Sequence, residues 1–302
     1  MLRILTGLAL LTLLAGLVVL WLTRPQGLTA DERAAFGAEG GLAGDVDAGR
    51  EVYLAAGCGS CHSAPEAEGD DRLVLAGGRA FPSPFGTFYA PNISPGAEAG
   101  LAGWTRADFA AALRHGTSPE GQHYFPAFPY TSYVRMTDQQ IADLWAYIET
   151  LPSDETPSRA HDVGFPFNIR ASLGVWKALY LDPDWVLAGD LSPQVAEGRV
   201  LVEALGHCAE CHTPRDALGG LDRGAWLAGA PSPDGKGRIP GIAPAQLDWA
   251  EADIAYYLET GFTPDFDSAG GHMAAVIQNF SQLSAEARAA VAAYLGALPQ
   301  DN

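Results

Sequence analysis

Cys58-Gly59-Ser60-Cys61-His62 occurs in this chain of 302 residues and recurs once, as Cys208-Ala209-Glu210-Cys211-His212. The spacing C-x-x-C-H is the attachment signature of c-type haem. Two thiols add across the two vinyl groups of the porphyrin. Two intervening residues set both sulfurs over one edge, and the adjacent His supplies the nitrogen beneath the iron. The chain has four Cys, and the two motifs use all of them. A thioredoxin-like redox pair needs no following His. A four-Cys zinc site would have to unite pairs that lie 150 residues apart. The expectation is therefore two covalently bound haem c groups. Cys58, Cys61, Cys208 and Cys211 attach them, and His62 and His212 bind the irons.

The flanking sequence repeats as well. WTRADFAAALRHGTSPE (104–120) aligns with WAEADIAYYLETGFTPD (249–265), pairing Trp104 with Trp249, Asp108 with Asp253 and Gly116 with Gly261. Pro91-Asn92-Ile93 aligns with Pro240-Gly241-Ile242, and Leu151-Pro152 with Leu298-Pro299. A repeat of this length means two domains of one fold.

Within the first copy, a helix starting near Asp47 delivers Cys58. Residues 63–103 are Gly- and Pro-rich loop that needs an object to pack on. Thr105-Arg106-Ala107-Asp108 and Thr137-Asp138-Gln139-Gln140 are capping boxes that open two more helices. The last carries Ile141, Leu144, Trp145 and Ile148 on one face. In the second copy Ser192-Pro193 starts the motif helix. Between the copies, Asn168 is placed to cap a helix through Ile169, Leu173, Trp176 and Tyr180. The fold expected is all-α, with two tandem cytochrome c domains after an N-terminal transmembrane helix. The bounds expected are a signal anchor over 1–24, a tether over 25–43, domains over 44–155 and 191–302, and a linker with a short helix over 156–190.

Apart from the initiator, the chain has two Met, Met136 and Met273, one in each domain, between its middle and last helices. A thioether is soft and neutral and favours Fe(II), so both are candidate sixth ligands. Their positions do not align: the repeat position of Met273 falls near Pro126–Phe128. His272 and His115 are the runners-up. His123, His161 and His207 are read as structural or surface residues, and Trp104 and Trp249 as packing near haem.

Ile4 to Leu22 is an uncharged run of 19 residues flanked by Arg3 and Arg24. It is longer than a secretory core and lacks a small-residue cleavage site, so it reads as an uncleaved anchor. Haem attachment takes place outside the cytoplasmic membrane, which puts residues after Pro25 in the periplasm. The formal net charge is −18. Residues 25–302 hold 16 basic against 36 acidic side chains, a net of −20. Such a surface repels nucleic acid and suits a basic or dipolar partner.

FGTFYAPNISPGAEAGLAGWTRADFAAALRHG (85–116), FPAFPYTSYVRMTD (125–138), FPFNIRASLGVWKALY (165–180) and GHCAECHTPRDALGG (206–220) resemble the multihaem cytochrome c subunit of membrane-bound alcohol, gluconate and fructose dehydrogenases. That family has three haem domains, where two motifs are present here. It often has Pro-Ala-Met-Pro-Tyr, where this chain has Pro126-Ala127-Phe128-Pro129-Tyr130. The resemblance implies an electron-transfer subunit with no catalytic residue of its own. A periplasmic or membrane dehydrogenase would donate electrons, and a quinone, cytochrome or terminal oxidase would accept them. It assigns Cys58, Cys61, His62 and Met136 to one haem, and Cys208, Cys211, His212 and Met273 to the other. The rival reading is a di-haem peroxidase, which needs an open or displaceable iron position.

Overall fold

The computed structural model describes residues 2–37, 40–233, 235 and 237–299. The apolar N-terminal run forms one helix, α1 (Leu2–Leu22), whose span Arg3–Leu22 has a mean hydropathy of 2.4 and is not buried in the protein. It is long and apolar enough to cross a bilayer.

The segment after it departs from the expected polar tether. Thr29 opens α2 (Ala30–Ala35) with a capping box to Glu32. Leu28 and Phe36 are both buried. Glu32 meets Arg114 at 2.9 Å, and Arg106 donates to the Leu42 carbonyl. Two apolar side chains thus fasten the segment to the first domain as a strap, although its average composition is polar.

In the first domain, Asp45 caps α3 (Val46–Ala55), its side chain accepting from the Asp47 and Ala48 amides at 2.9 Å each. Gly57, at φ 65°, turns the chain into α4 (Cys58–His62), which is the motif itself. Both capping boxes form, at the starts of α5 (Arg106–His115) and α7 (Asp138–Ile148), with the short α6 (Tyr130–Tyr133) between them. Ile141, Leu144 and Ile148 are at most 1% exposed, so the apolar face of α7 is the buried one.

The all-α expectation needs correction: the fold is mostly helical, with short strands. Within 63–103, β1 (Ala80–Ser83) and β2 (Gly86–Tyr89) form an antiparallel hairpin pairing Phe81 with Phe88. β3 (Asp162–Val163), from the interdomain segment, adds to β2. Aromatic and β-branched residues on either side of Pro84-Phe85 carry this hairpin.

The linker helix α8 (Ser172–Tyr180) starts later than expected, behind Ala171 and without a side-chain cap. Asn168 lies in the turns before it. In the second domain Ser192 caps α9 (Pro193–Arg199), which continues as a π-helix over Val200–Leu205. Then come α10 (Ala209–His212), the strand pair β4 (Ala230–Pro231) and β5 (Arg238–Ile239), and the helices α11 (Glu251–Thr260), α12 (Gly271–Phe280) and α13 (Ala285–Ala297).

Each domain is held by a crossing of its first and last helices over a glycine. A Cβ on Gly49 would lie 2.0 Å from the Asp143 carbonyl oxygen, and one on Gly198 would lie 1.9 Å from that of Ala290. These backbones touch, so no side chain fits. Gly49 lies nine residues before Cys58 and Gly198 ten before Cys208. The π-helix absorbs the extra residue. Gly198→Ala should cost about 1–3 kcal/mol, the range of core overpacking. At about 2–4 °C per kcal/mol for a protein of this size, circular dichroism should show earlier melting by several degrees. An unchanged melting temperature would mean that α9 and α13 do not touch there.

Candidate haem sites

Each motif occupies one short helical turn, with both thiols and the imidazole brought together by the backbone alone. The turn is built against what precedes it. In the first domain the Tyr53 hydroxyl reaches the motif so closely that a Cβ on Gly59 would lie 2.4 Å from it. That hydroxyl is buried without a partner among the described residues. In the second domain Glu203, also five residues before its first Cys, turns elsewhere. Its carboxylate accepts from the amides of Val186 and Leu187 at 2.6 and 3.0 Å and from the Tyr294 hydroxyl at 2.8 Å. Ala209 therefore stands where the first motif needs Gly59.

The imidazoles are oriented identically. His62 Nδ1 lies 2.8 Å from the Pro91 carbonyl oxygen, and His212 Nδ1 lies 2.7 Å from that of Pro240. A carbonyl only accepts, so Nδ1 carries the proton and Nε2 keeps its lone pair, as a metal ligand requires. Burial holds both imidazoles below their usual pKa, with those carbonyls opposing. The wrapping loops match too. Gly77 donates to the His62 carbonyl at 2.6 Å, and Gly229 donates to that of His212 at 2.7 Å. The aligned prolines of the two repeats thus have a physical role: each fixes the tautomer of its motif histidine.

These residues fit haem c. The four Cys are free thiols. Burial pushes Cys58 and Cys208 up to about 12 and Cys61 up to about 11, with Arg79 opposing the last. Arg79 Nε is buried without a partner among the described residues, a cation facing the motif that suits the carboxylates of a porphyrin edge.

The two methionines come from different elements. Met136 is 2% exposed, in the turn between α6 and α7, with its carbonyl accepting from Arg114 at 2.9 Å. Met273 is half-buried in the first turn of α12. Their failure to align in sequence has this cause. Both pack against the apolar cluster that Cys58 and Cys208 also border.

The other histidines have structural neighbours. His115 lies 3.7 Å from Glu32, and His161 Nδ1 accepts from the Tyr89 amide at 3.1 Å. His272 is exposed and stacks on Phe81 at 6.3 Å. Trp104 and Trp249 pack against the core from its edge.

Sequence reasoning missed the junction between the motifs. Ser60, inside the first motif, accepts from Asn279 of the second domain at 3.0 Å. Glu210, inside the second motif, accepts from Thr131 of the first at 2.9 Å. His207 donates to the Ala56 carbonyl at 3.2 Å and packs its ring against Tyr133 at 5.8 Å. Cys61 and Cys211 lie within electrostatic reach of each other. The second variable residue of each C-x-x-C thus bonds to the opposite domain, and no local pattern signals it.

A family model described as cytochrome c matches residues 46–152 and 195–299. The chain is 54% identical over 293 residues to a protein from Cereibacter sphaeroides described as a diheme cytochrome c-type, covering 97% of each chain. It is 37% identical over 262 residues to the fructose dehydrogenase cytochrome subunit of Gluconobacter japonicus, covering 84% of this chain and 52% of that one. The cytochrome c subunit of a quinone-dependent alcohol dehydrogenase from Gluconobacter oxydans is 33% identical over 273 residues, with coverage of 84% and 55%. The chain thus spans about half the length of these two dehydrogenase subunits.

Proposed function

Because the chain belongs to the cytochrome c family, carries two covalently bound haem c and is an electron-transfer protein, we propose that it is a membrane-anchored periplasmic relay, taking electrons from a dehydrogenase and passing them to a respiratory acceptor. Cys58 and Cys61 would hold one haem, with His62 and Met136 as the ligands of its iron. Cys208 and Cys211 would hold the other, with His212 and Met273. Bound there, the haems supply a one-electron couple at each iron. The Pro91 and Pro240 carbonyls keep each imidazole in its ligand tautomer, and the thioethers of Met136 and Met273 would favour the reduced metal. The functional units are the two domains read from the sequence, 44–155 and 191–302, with α1 as an uncleaved anchor.

One observation carries the relay: the two motifs adjoin, bonded to each other's domains through Ser60–Asn279 and Thr131–Glu210. Two similar stations joined at their attachment turns suit passage from one to the other. The donor is inferred from relatives that are dehydrogenase cytochrome subunits.

Mixing the protein with candidate quinoprotein or flavoprotein dehydrogenases in a stopped-flow instrument, and following haem absorption, tests this. Reduction should be fast and should slow about tenfold or more between low and high salt, because a net of −20 outside α1 steers a basic docking patch. Rapid peroxide turnover with no reduction by any dehydrogenase would favour the di-haem peroxidase instead.

A further inference from the structure

We infer that the interdomain segment 165–179 lies in the interfacial layer of the bilayer, with Phe165, Phe167, Ile169, Val175 and Leu179 against the acyl–headgroup boundary. This rests on the proposed reading that α1 crosses the membrane.

The end of α1 is clamped to this segment. His123 Nε2 donates to the Thr23 carbonyl oxygen at 3.0 Å, and Arg170 donates to the His123 carbonyl at 2.7 Å. Gly174 of α8 is pressed so close that a Cβ on it would lie 1.9 Å from the same Thr23 oxygen. At 1.5 Å per residue, the 21 residues of α1 span about 32 Å, close to the hydrocarbon thickness of a bilayer. Trp21, exposed and covered at 4.9 Å by Arg24, marks the interfacial end. Whatever touches Thr23 is therefore at headgroup depth.

The polarity of the segment is the reverse of a water-facing surface. The one charged residue of α8, Lys177, is turned inward and 8% exposed, its Nζ donating to the carbonyls of His115 and Gly116 at 2.6 and 2.7 Å. The opposite face, at 100° per residue, carries Val175 and Leu179, flanked by Ala171 and Ser172. Leu179 is 62% exposed, and in the turn before α8 Phe165 is 82% exposed. A helix that buries its cation and exposes Val175 and Leu179, beside the exit of a transmembrane helix, fits a lipid surface.

The test uses the full, haem-loaded chain. Single Phe165→Cys, Phe167→Cys and Leu179→Cys variants are spin-labelled and placed in nanodiscs of phosphatidylcholine and phosphatidylglycerol. The native thiols, consumed by haem, do not react. Leu13→Cys in α1 and Glu149→Cys, exposed in the first domain, serve as references. Power saturation then compares access of oxygen, which partitions into lipid, with access of a water-soluble nickel chelate. The oxygen-to-nickel ratio at 165, 167 and 179 should be several-fold above that at 149 and nearer that at 13. A lipid-like value at 13 with water-like values at 165, 167 and 179 would overturn the inference, leaving the face free for a protein partner. A water-like value at 13 would overturn the spanning reading itself, and this inference with it.

Discussion

Replacing Cys58 and Cys61 together by Ala leaves one covalent haem per chain in place of two. The two attachment turns share no residue, and the second keeps its own histidine, its own Pro240 carbonyl and its own wrapping loop in the double variant. His62 alone cannot retain haem through denaturation, because a coordinate bond is lost where a thioether is not. The pyridine haemochrome assay should therefore fall to half, and denatured mass should drop by one haem. Replacing Cys208 and Cys211 by Ala should do the same. Two haems surviving in either variant, or one haem in the unaltered chain, would refute the assignment of cysteines to haems.

Met136→Leu and Met273→Leu should each open one iron, lower the potential of that haem and remove its share of the ferric Met-to-iron charge-transfer band. Leu keeps the volume and removes the sulfur, which separates ligation from packing. The Ala variants should then split. Met136 is 2% exposed, so Met136→Ala creates a cavity and costs about 2–5 kcal/mol. Met273 is half-buried on a helix end, so its truncation should cost less. A Leu variant with unchanged band and potential would make that Met a space-filling residue only.

Much of this was legible because it is local. The capping boxes at Thr105 and Thr137 form where their spacing placed them, since the bonds span three residues. The C-x-x-C-H turns need only their own backbone. The aligned Pro91 and Pro240 marked equivalent positions before their carbonyls were seen to face His62 and His212. What escaped is what depends on distant partners. Leu28 and Phe36 are too few to register in a polar stretch, yet the strap packs through them. The β1–β2 hairpin hid in a Gly- and Pro-rich stretch with little periodicity, and β3 reaches it from the linker. The π-helix before Cys208 shows in sequence only as a one-residue offset between the glycine crossings. The placement of Met273 on a helix, and the contact between motifs, follow from packing that no single repeat contains.

The crowding of Tyr53 on Gly59, set against Glu203 with Ala209, means that the halves cannot trade parts singly. Alanine at 59 alone collides with the phenol, its Cβ 2.4 Å from the Tyr53 hydroxyl. Tyrosine at 203 alone strands the amides of Val186 and Leu187, at about 1–3 kcal/mol for each donor left buried and unpaired. Tolerance thus belongs to residue pairs rather than to positions, a form of epistasis written into the approach of each helix to its motif. A chimaera that exchanges only the five-residue motifs inherits the collision, whereas one that exchanges helix and motif as a block does not.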